Sequence, residues 1–262
     1  MRKVLTIAGS DSSGGAGIQA DIKTITAHGM YAMSAITALT AQNTTGVYGV
    51  LEASPEFVGQ QLDCIFQDIV PDAVKIGMVS NPEIIQVIAQ KLKEYDAKHI
   101  VVDPVMVATS GSKLCVDGAV QALVELLFPL AEVITPNIPE AQALTGFGPI
   151  VEAQQLRRAA ELLAPKVGGS VLVKGGHLTE EACDLLWMNG QAIWYPAQRV
   201  ENPNNHGSGC TLSSAIACNL ADGFCLEAAV RNAKRYITDA LKAGLDLGHG
   251  SGPLNHCCWM SK

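Results

Sequence analysis

Residues 205 to 212 read Asn205-His206-Gly207-Ser208-Gly209-Cys210-Thr211-Leu212 and run directly into a small-residue stretch of helical character, Ser213 to Ala221. Glycine at 207 and 209 lets the backbone turn tightly and present consecutive N–H groups, and the helix that follows aims the positive end of its dipole into the same space. Such a bend binds anions, phosphate above all. Cys210 falls in the first turn, where the helix field favours thiolate over thiol and makes the sulfur a usable base or nucleophile. A glycine-rich helix start with Cys210 as a small buried residue gives the same octapeptide, so other segments must decide.

Asn137-Ile138-Pro139-Glu140 places an amide and a carboxylate three residues apart at a helix start. This unit can hold hydrated magnesium, which prefers hard oxygen ligands and keeps several waters, or it can form a capping box; the two are compatible. Lys174 closes an apolar strand just before Gly175-Gly176-His177, where glycines let a ligand approach its ammonium, and is a candidate phosphate contact. Asp103, beside Pro104, closes another strand and is a candidate for the outer shell of a magnesium ion. The loop from Gly9 to Gly17 matches neither G-x-G-x-x-G nor G-x-x-x-x-G-K-S/T, so it is a poor triphosphate cradle. Close approach of its backbone to a small substrate fits better. Asp21, one turn into the next helix, is then either a ligand contact or a solvated first-turn carboxylate. His249, His256, Cys257 and Cys258 fit no zinc-finger spacing; they read as a terminal segment packed on the body, with Trp259 as its anchor.

The elements that must position these groups alternate. Strands are expected at Val4–Ala8, Ala32–Leu39, Ala73–Ile76, Ile100–Asp103, Glu132–Thr135 and Val171–Lys174. Helices are expected at Gly17–His28, Pro55–Ile69, Pro82–Tyr95, Asp117–Leu127, Pro139–Leu144, Ala153–Leu163, Ser208–Ala221 and Leu226–Ala243. Cys183–Met188 and Ala192–Tyr195, joined by Asn189-Gly190, predict an antiparallel edge hairpin. The pattern is α/β with a mainly parallel sheet covered on both faces, where ligands bind beyond the carboxyl ends of the strands. The polar punctuation falls there: Gly9-Ser10-Asp11, Gln42-Asn43, Gly77-Met78, Asp103-Pro104, Pro136-Asn137 and Gly175-Gly176 each follow a strand.

With 262 residues and no evident linker, a single domain over 1–262 is expected. The net charge is −7 and no long basic run occurs, which argues against nucleic acid as a partner. Eight cysteines are scattered without a C-x-x-C pair, as expected of free thiols in a reducing cytoplasm. No apolar run approaches the roughly 20 residues that cross a bilayer.

Taken together, these segments resemble the hydroxymethylpyrimidine and phosphomethylpyrimidine kinases of thiamine biosynthesis, a branch of the ribokinase-like superfamily. The resemblance runs the whole length, through Leu5 to Asp11, Gly14 to Asp21, Thr37 to Thr44, Lys75 to Met78, Asp103 to Met106, Thr135 to Asn137 with Glu140, Val173 to His177, His206 to Thr211 and Gly248 to Pro253. It implies a three-layer αβα fold and two successive phosphoryl transfers from ATP with Mg²⁺, first to a hydroxymethyl group and then to the monophosphate. It also implies a pyrimidine pocket lined by Gly9, Asp21, Gln42, Met78 and Val105. Asn137, Glu140, Lys174 and Thr211 would then stand on the ATP side, with Asp103 and Glu140 toward the metal. The Gly207, Ser208, Gly209 and Cys210 amides would form the anion hole, with Cys210 where sugar kinases of the superfamily carry an aspartate base. A homodimer is implied by the family alone. Asn205 and Ser208 stand where the family usually has threonine.

Three other readings compete. A pyridoxine or pyridoxal kinase acts on a similar flat ring with a hydroxymethyl group. A catalytically silent pyrimidine sensor would keep the pocket but has no use for Asn137, Glu140, Lys174 and Cys210. A transferase using Cys210 covalently lacks a histidine–acid pair in register, although His206 is near in sequence.

Overall fold

The computed structural model describes residues 1–106, 118–176, 182–197 and 200–260. Cys115, Asp117 and His177 lie outside the described residues. Among the described residues nine strands form one sheet: β1 (Lys3–Asp11), β2 (Tyr31–Asn43), β3 (Gly46–Glu52), β4 (Ala73–Ile76), β5 (Ile100–Val102), β6 (Val133–Ile134), β7 (Ser170–Val173), β8 (Ala182–Met188) and β9 (Gln191–Ala197). Their order is β3-β2-β1-β4-β5-β6-β7-β8-β9. The run from β2 to β7 is parallel throughout, with β3 antiparallel at one edge and the β8–β9 hairpin antiparallel at the other. Asn189 and Gly190 both take positive φ, 52° and 75°, as the two-residue turn of that hairpin demands.

Neighbouring residues along the central strands feed opposite faces because side chains alternate. Leu5, Val74, Val102, Ile134 and Val173 pack beneath α2 (Pro55–Asp68), α3 (Pro82–Glu94), the short α4 (Ala119–Ala122) with the wide turn that follows it, α5 (Ile138–Thr145) and α6 (Ala153–Leu163). Val4, Ala73, Val101, Val133 and Leu172 pack against α7 (Ser208–Ala221) and α8 (Leu226–Lys242), joined by Ile25 of α1 (Gly17–Ala27). The result is the expected three-layer αβα arrangement. The expected hairpin edge is present, and β3 adds a second antiparallel edge that the sequence did not announce. Its Gly46 and Gly49 break the alternation, and Tyr48, Val50 and Leu51 face outward.

Several helix starts follow local chemistry. The Ser54 hydroxyl accepts from Phe57 N–H ahead of α2, and the Asn81 carbonyl accepts from Glu83 N–H ahead of α3, each followed by proline. α7 is buried on all sides from Thr211 to Ala221, and its small Ser213, Ser214, Ala215 and Ala217 let it lie against β1, β4 and β5. β1 continues to β2 on one side and is flanked by β4 on the other, so the topological switch point falls between β1 and β4, under α7. An open α/β sheet binds its ligand at that place.

Candidate active site

The carboxyl ends of β1, β2, β4, β5, β6 and β7 meet on one rim, and α7 points its amino terminus at them. Gly207 caps α7 with φ +81°, a conformation that favours glycine, and the first helical bond runs from Thr211 N–H to its carbonyl. The Gly209 and Cys210 amides thus precede the helical ladder and have no carbonyl of their own helix to meet. Ser208 N–H turns back to the Asn205 carbonyl at 3.2 Å.

Directly against this turn stand the charged groups. Lys174 Nζ donates to Asp103 Oδ1 at 2.8 Å, and the Thr135 hydroxyl donates to the same oxygen at 2.9 Å. A Cβ added to Gly209 would lie 3.1 Å from Asp103 Oδ2 and 3.2 Å from Lys174 Nζ. Glycine at 209 therefore leaves a small cradle between the helix start and a charged pair. Asn137 and Glu140 form the capping box of α5: Glu140 N–H donates to Asn137 Oδ1, and Asn137 N–H donates to Glu140 Oε2, both at 2.8 Å. Glu140 is buried, and burial raises its carboxyl from an ordinary 4.5 to about 7, with the Lys174 ammonium pulling down and Asp103 pushing up. Burial works against the Lys174 ammonium, but the Asp103 and Glu140 carboxylates outweigh it and raise its pKa.

Two buried carboxylates sharing one lysine carry surplus negative charge, and their donors are hard oxygens. A magnesium ion held through one or two carboxylates, waters and substrate phosphates fits this set. Among the described residues no cluster of three or more His, Cys, Asp or Glu could cage a metal without substrate.

The Cys210 sulfur stands near Lys75, Asp21, Asp103 and the Gly17 amide. Burial raises its thiol to about 11, with the Lys75 ammonium opposing that rise. This corrects the expectation of a resting thiolate: the helix end and Lys75 do not offset desolvation, and the group is a thiol at neutral pH. Asp21 is also redirected. It is fully buried, and its carboxylate accepts from Lys75 Nζ at 2.8 and 3.0 Å, from Thr6 Oγ1 at 2.6 Å and from Ser214 Oγ at 2.7 Å. Its lone pairs are spent inside the protein, so it braces α1, β1, β4 and α7 rather than facing a ligand. Thr211 likewise turns inward, its hydroxyl bonded to the Gly207 carbonyl at 2.9 Å and to His256 Nε2 at 3.0 Å, away from the ATP side expected for it.

The other pocket residues sit on neighbouring strand ends. A Cβ on Gly9 would come 2.5 Å from Met78 Cε, so β1 and the segment after β4 touch there. Val105, half-buried, donates its N–H to the Asp103 carbonyl at 2.8 Å. Gln42 lies across from His206, 3.3 Å between side-chain nitrogens. Sequence reasoning passed over Lys75, which sits in the apolar run Ala73–Ile76 where a charge has no visible partner. It also passed over the Asp11–His206 pair, whose members are 195 positions apart.

The sequence profile described as Phosphomethylpyrimidine kinase matches residues 11–255. The chain is 51% identical over 255 residues to a hydroxymethylpyrimidine/phosphomethylpyrimidine kinase of Rhizobium meliloti, covering 96% of each protein. It is also 51% identical over 254 residues to a thiamine biosynthesis bifunctional protein of Geobacter sulfurreducens; there it spans 97% of itself but only 52% of the relative. Among solved structures, a phosphomethylpyrimidine kinase from Clostridium difficile superposes with TM-score 0.82 at 48% identity, covering 92% of this chain and 99% of that one. An ADP complex of Bacillus subtilis pyridoxal kinase superposes with TM-score 0.91 at 38% identity, covering 98% of both. The chain belongs to the phosphomethylpyrimidine kinase family and is a phosphotransferase.

Proposed function

We propose that the chain transfers the γ-phosphoryl group of ATP to 4-amino-5-hydroxymethyl-2-methylpyrimidine, and then a second one to the resulting monophosphate, in thiamine biosynthesis. The observation that carries this reading is the meeting of the α7 amino terminus with Lys174 and Asp103, and their neighbour Glu140, at the carboxyl ends of β5, β6 and β7, beside Cys210. Phosphoryl transfer asks little covalent chemistry of a protein; it asks for alignment and for charge to be met where it develops. The Gly209 and Cys210 amides, with Lys174, meet the equatorial oxygens of the migrating group. Asn137 and Glu140 stand on the nucleotide side. Asp103 and Glu140, the latter through water, would hold Mg²⁺, which would supply positive charge against the phosphates. Gly9, Met78 and Val105 enclose the flat ring, and Gln42 offers its amide to the ring edge.

Cys210 divides the two steps. An alcohol is a weak nucleophile and gains from a base as it attacks phosphorus, whereas an ionised phosphate needs mainly alignment. With the thiol at about 11, the thiolate is on the order of 1 part in 10,000 at pH 7, so base catalysis makes the first transfer strongly pH-dependent. The pyridoxal kinase likeness supports a second reading, in which a pyridine carrying a hydroxymethyl group is the acceptor. A coupled assay with ATP, magnesium and either acceptor, following mono- and diphosphate separately, tests both. The expected outcome is two successive pyrimidine products and a higher kcat/KM for pyrimidine than for pyridoxal; absence of pyrimidine turnover overturns the reading.

A further inference from the structure

The Asp11 carboxylate is buried at the end of β1. Its Oδ1 accepts from the Ser13 N–H at 2.9 Å and the Ser13 hydroxyl at 2.7 Å; its Oδ2 accepts from the Gly15 and Ala16 amides at 3.2 and 2.9 Å and from His206 Nε2 at 2.8 Å. His206 immediately precedes the Gly207 cap of α7. A Cβ on Gly207 would lie 1.9 Å from the Gly15 carbonyl oxygen, and a Cβ on Gly15 would lie 2.5 Å from His206 Cδ2. The loop after β1 and the loop before α7 therefore touch through their main chains, with one hydrogen-bonded Asp–His pair across the seam.

Proton counting extends this pair to Gln42. An ionised carboxylate only accepts, so His206 carries a hydrogen on Nε2. Gln42 Nε2, itself a donor, stands 3.3 Å from that nitrogen. The Thr40 hydroxyl has one hydrogen but stands 2.9 Å from the Ser10 carbonyl oxygen and 3.1 Å from Gln42 Oε1. A half-turn of the Gln42 amide removes both conflicts: Thr40 donates to Ser10, the Gln42 NH₂ donates to Thr40 Oγ1, and the Gln42 oxygen, in place of its NH₂, faces the Nε2–H that His206 gives to Asp11. Gln42 and His206 also face a cavity of about 350 Å³ bordered by Thr44 and Ser251.

We propose that Asp11 and His206 are positioning residues that lock the Gln42 amide, oxygen toward His206 and NH₂ toward Thr40, and hold the loop before α7 in register with the loop after β1. This rests on the reading of Gln42 as an acceptor contact. An amide that can turn over fits a ring edge of either polarity; a locked one offers its remaining donor and acceptor in one fixed order. An aminopyrimidine, with an amino group beside a ring nitrogen, presents such an ordered pair. The pair thus selects acceptors without touching them.

Two measurements test the proposal. In the first, His206→Leu and Asp11→Asn are assayed with hydroxymethylpyrimidine and with pyridoxal. Losing a buried hydrogen bond to a charged group should raise the pyrimidine KM roughly 10- to 100-fold and narrow the pyrimidine preference. His206→Gln, whose amide N–H can still reach Asp11, should recover most of the loss. An unchanged pyrimidine KM with only a lowered melting temperature would mean a scaffold role and overturn the proposal. In the second, ¹⁵N–¹H correlation of the histidine rings in the unliganded wild-type protein reads the His206 tautomer, and it decides the matter if the variants do not fold. Protonation at Nε2 supports the lock; a ring protonated only at Nδ1 sinks it. That spectrum needs no turnover, so failure of the pyrimidine assay leaves it standing, and the two failures are distinguishable.

Discussion

At Cys210 opposing forces meet. Burial holds the proton on sulfur, while Lys75 and the start of α7 favour its loss, and the first force wins by raising the thiol from 9.0 to about 11. The thiolate fraction therefore grows about tenfold per pH unit through the neutral range. Initial rates should show kcat/KM for the hydroxymethyl acceptor climbing with that slope between pH 7 and 9, and no such slope for the monophosphate acceptor. Cys210→Ala should abolish the slope and lower the first transfer roughly 10²- to 10⁴-fold while leaving the second within about tenfold. Equal losses in both would point to a structural sulfur. The expectation of a thiolate failed because the groups that act on Cys210 besides its own helix come from distant segments: Asp21, Lys75 and Asp103 are far from it in sequence, and burial outweighs them. A helix start is visible in the sequence; the desolvation around it is not.

At the scale of elements, the short α5 carries a candidate binding group on a structural one. Asn137 and Glu140 were legible as a unit because capping needs that spacing, and the capping box is present. Burial raises the Glu140 carboxyl to about 7, so the folded chain holds a proton that the unfolded chain releases above 4.5. Stability from this group is full below pH 4.5 and is lost as pH rises to about 7. Glu140→Gln keeps a capping side chain and removes the charge, so the variant should be more stable than wild type at pH 8 without metal, by about 1–3 kcal/mol. Urea melts at pH 5 and pH 8 check this; a gain that does not grow with pH would refute it. On the proposed reading the same variant should also lose activity, since it gives up the carboxylate assigned to magnesium. β3 illustrates the opposite case. The run Gly46-Val47-Tyr48-Gly49-Val50-Leu51 has a strand's residues but a turn's glycines, and only pairing with β2 makes it a strand.

For the whole molecule, alternation of short apolar strands with helices was enough to indicate the layers and the rim where the candidate site residues gather, because a buried parallel sheet imposes that pattern on sequence. What joins the layers was not indicated. Asp21 on α1, Lys75 on β4, Thr6 on β1 and Ser214 on α7 make one buried polar knot, and sequence separations such as the 54 positions from Asp21 to Lys75 conceal it. Removing one partner of a fully buried ion pair leaves a charge without compensation, at a cost of about 3–5 kcal/mol. Lys75→Met should lower unfolding free energy by that amount in denaturant melts, and Lys75→Met combined with Asp21→Asn should recover part of it. A loss below about 1 kcal/mol would show that the knot is hydrated.

The contact of Gly207 with Gly15 bears on how this cleft tolerates change. Where peptide meets peptide, the spacing follows from atoms common to every amino acid. Neighbouring side chains can therefore drift over generations without altering the gap, whereas replacing either glycine inserts a methyl into filled space. The floor of the cleft is insulated from its surroundings and brittle at two points.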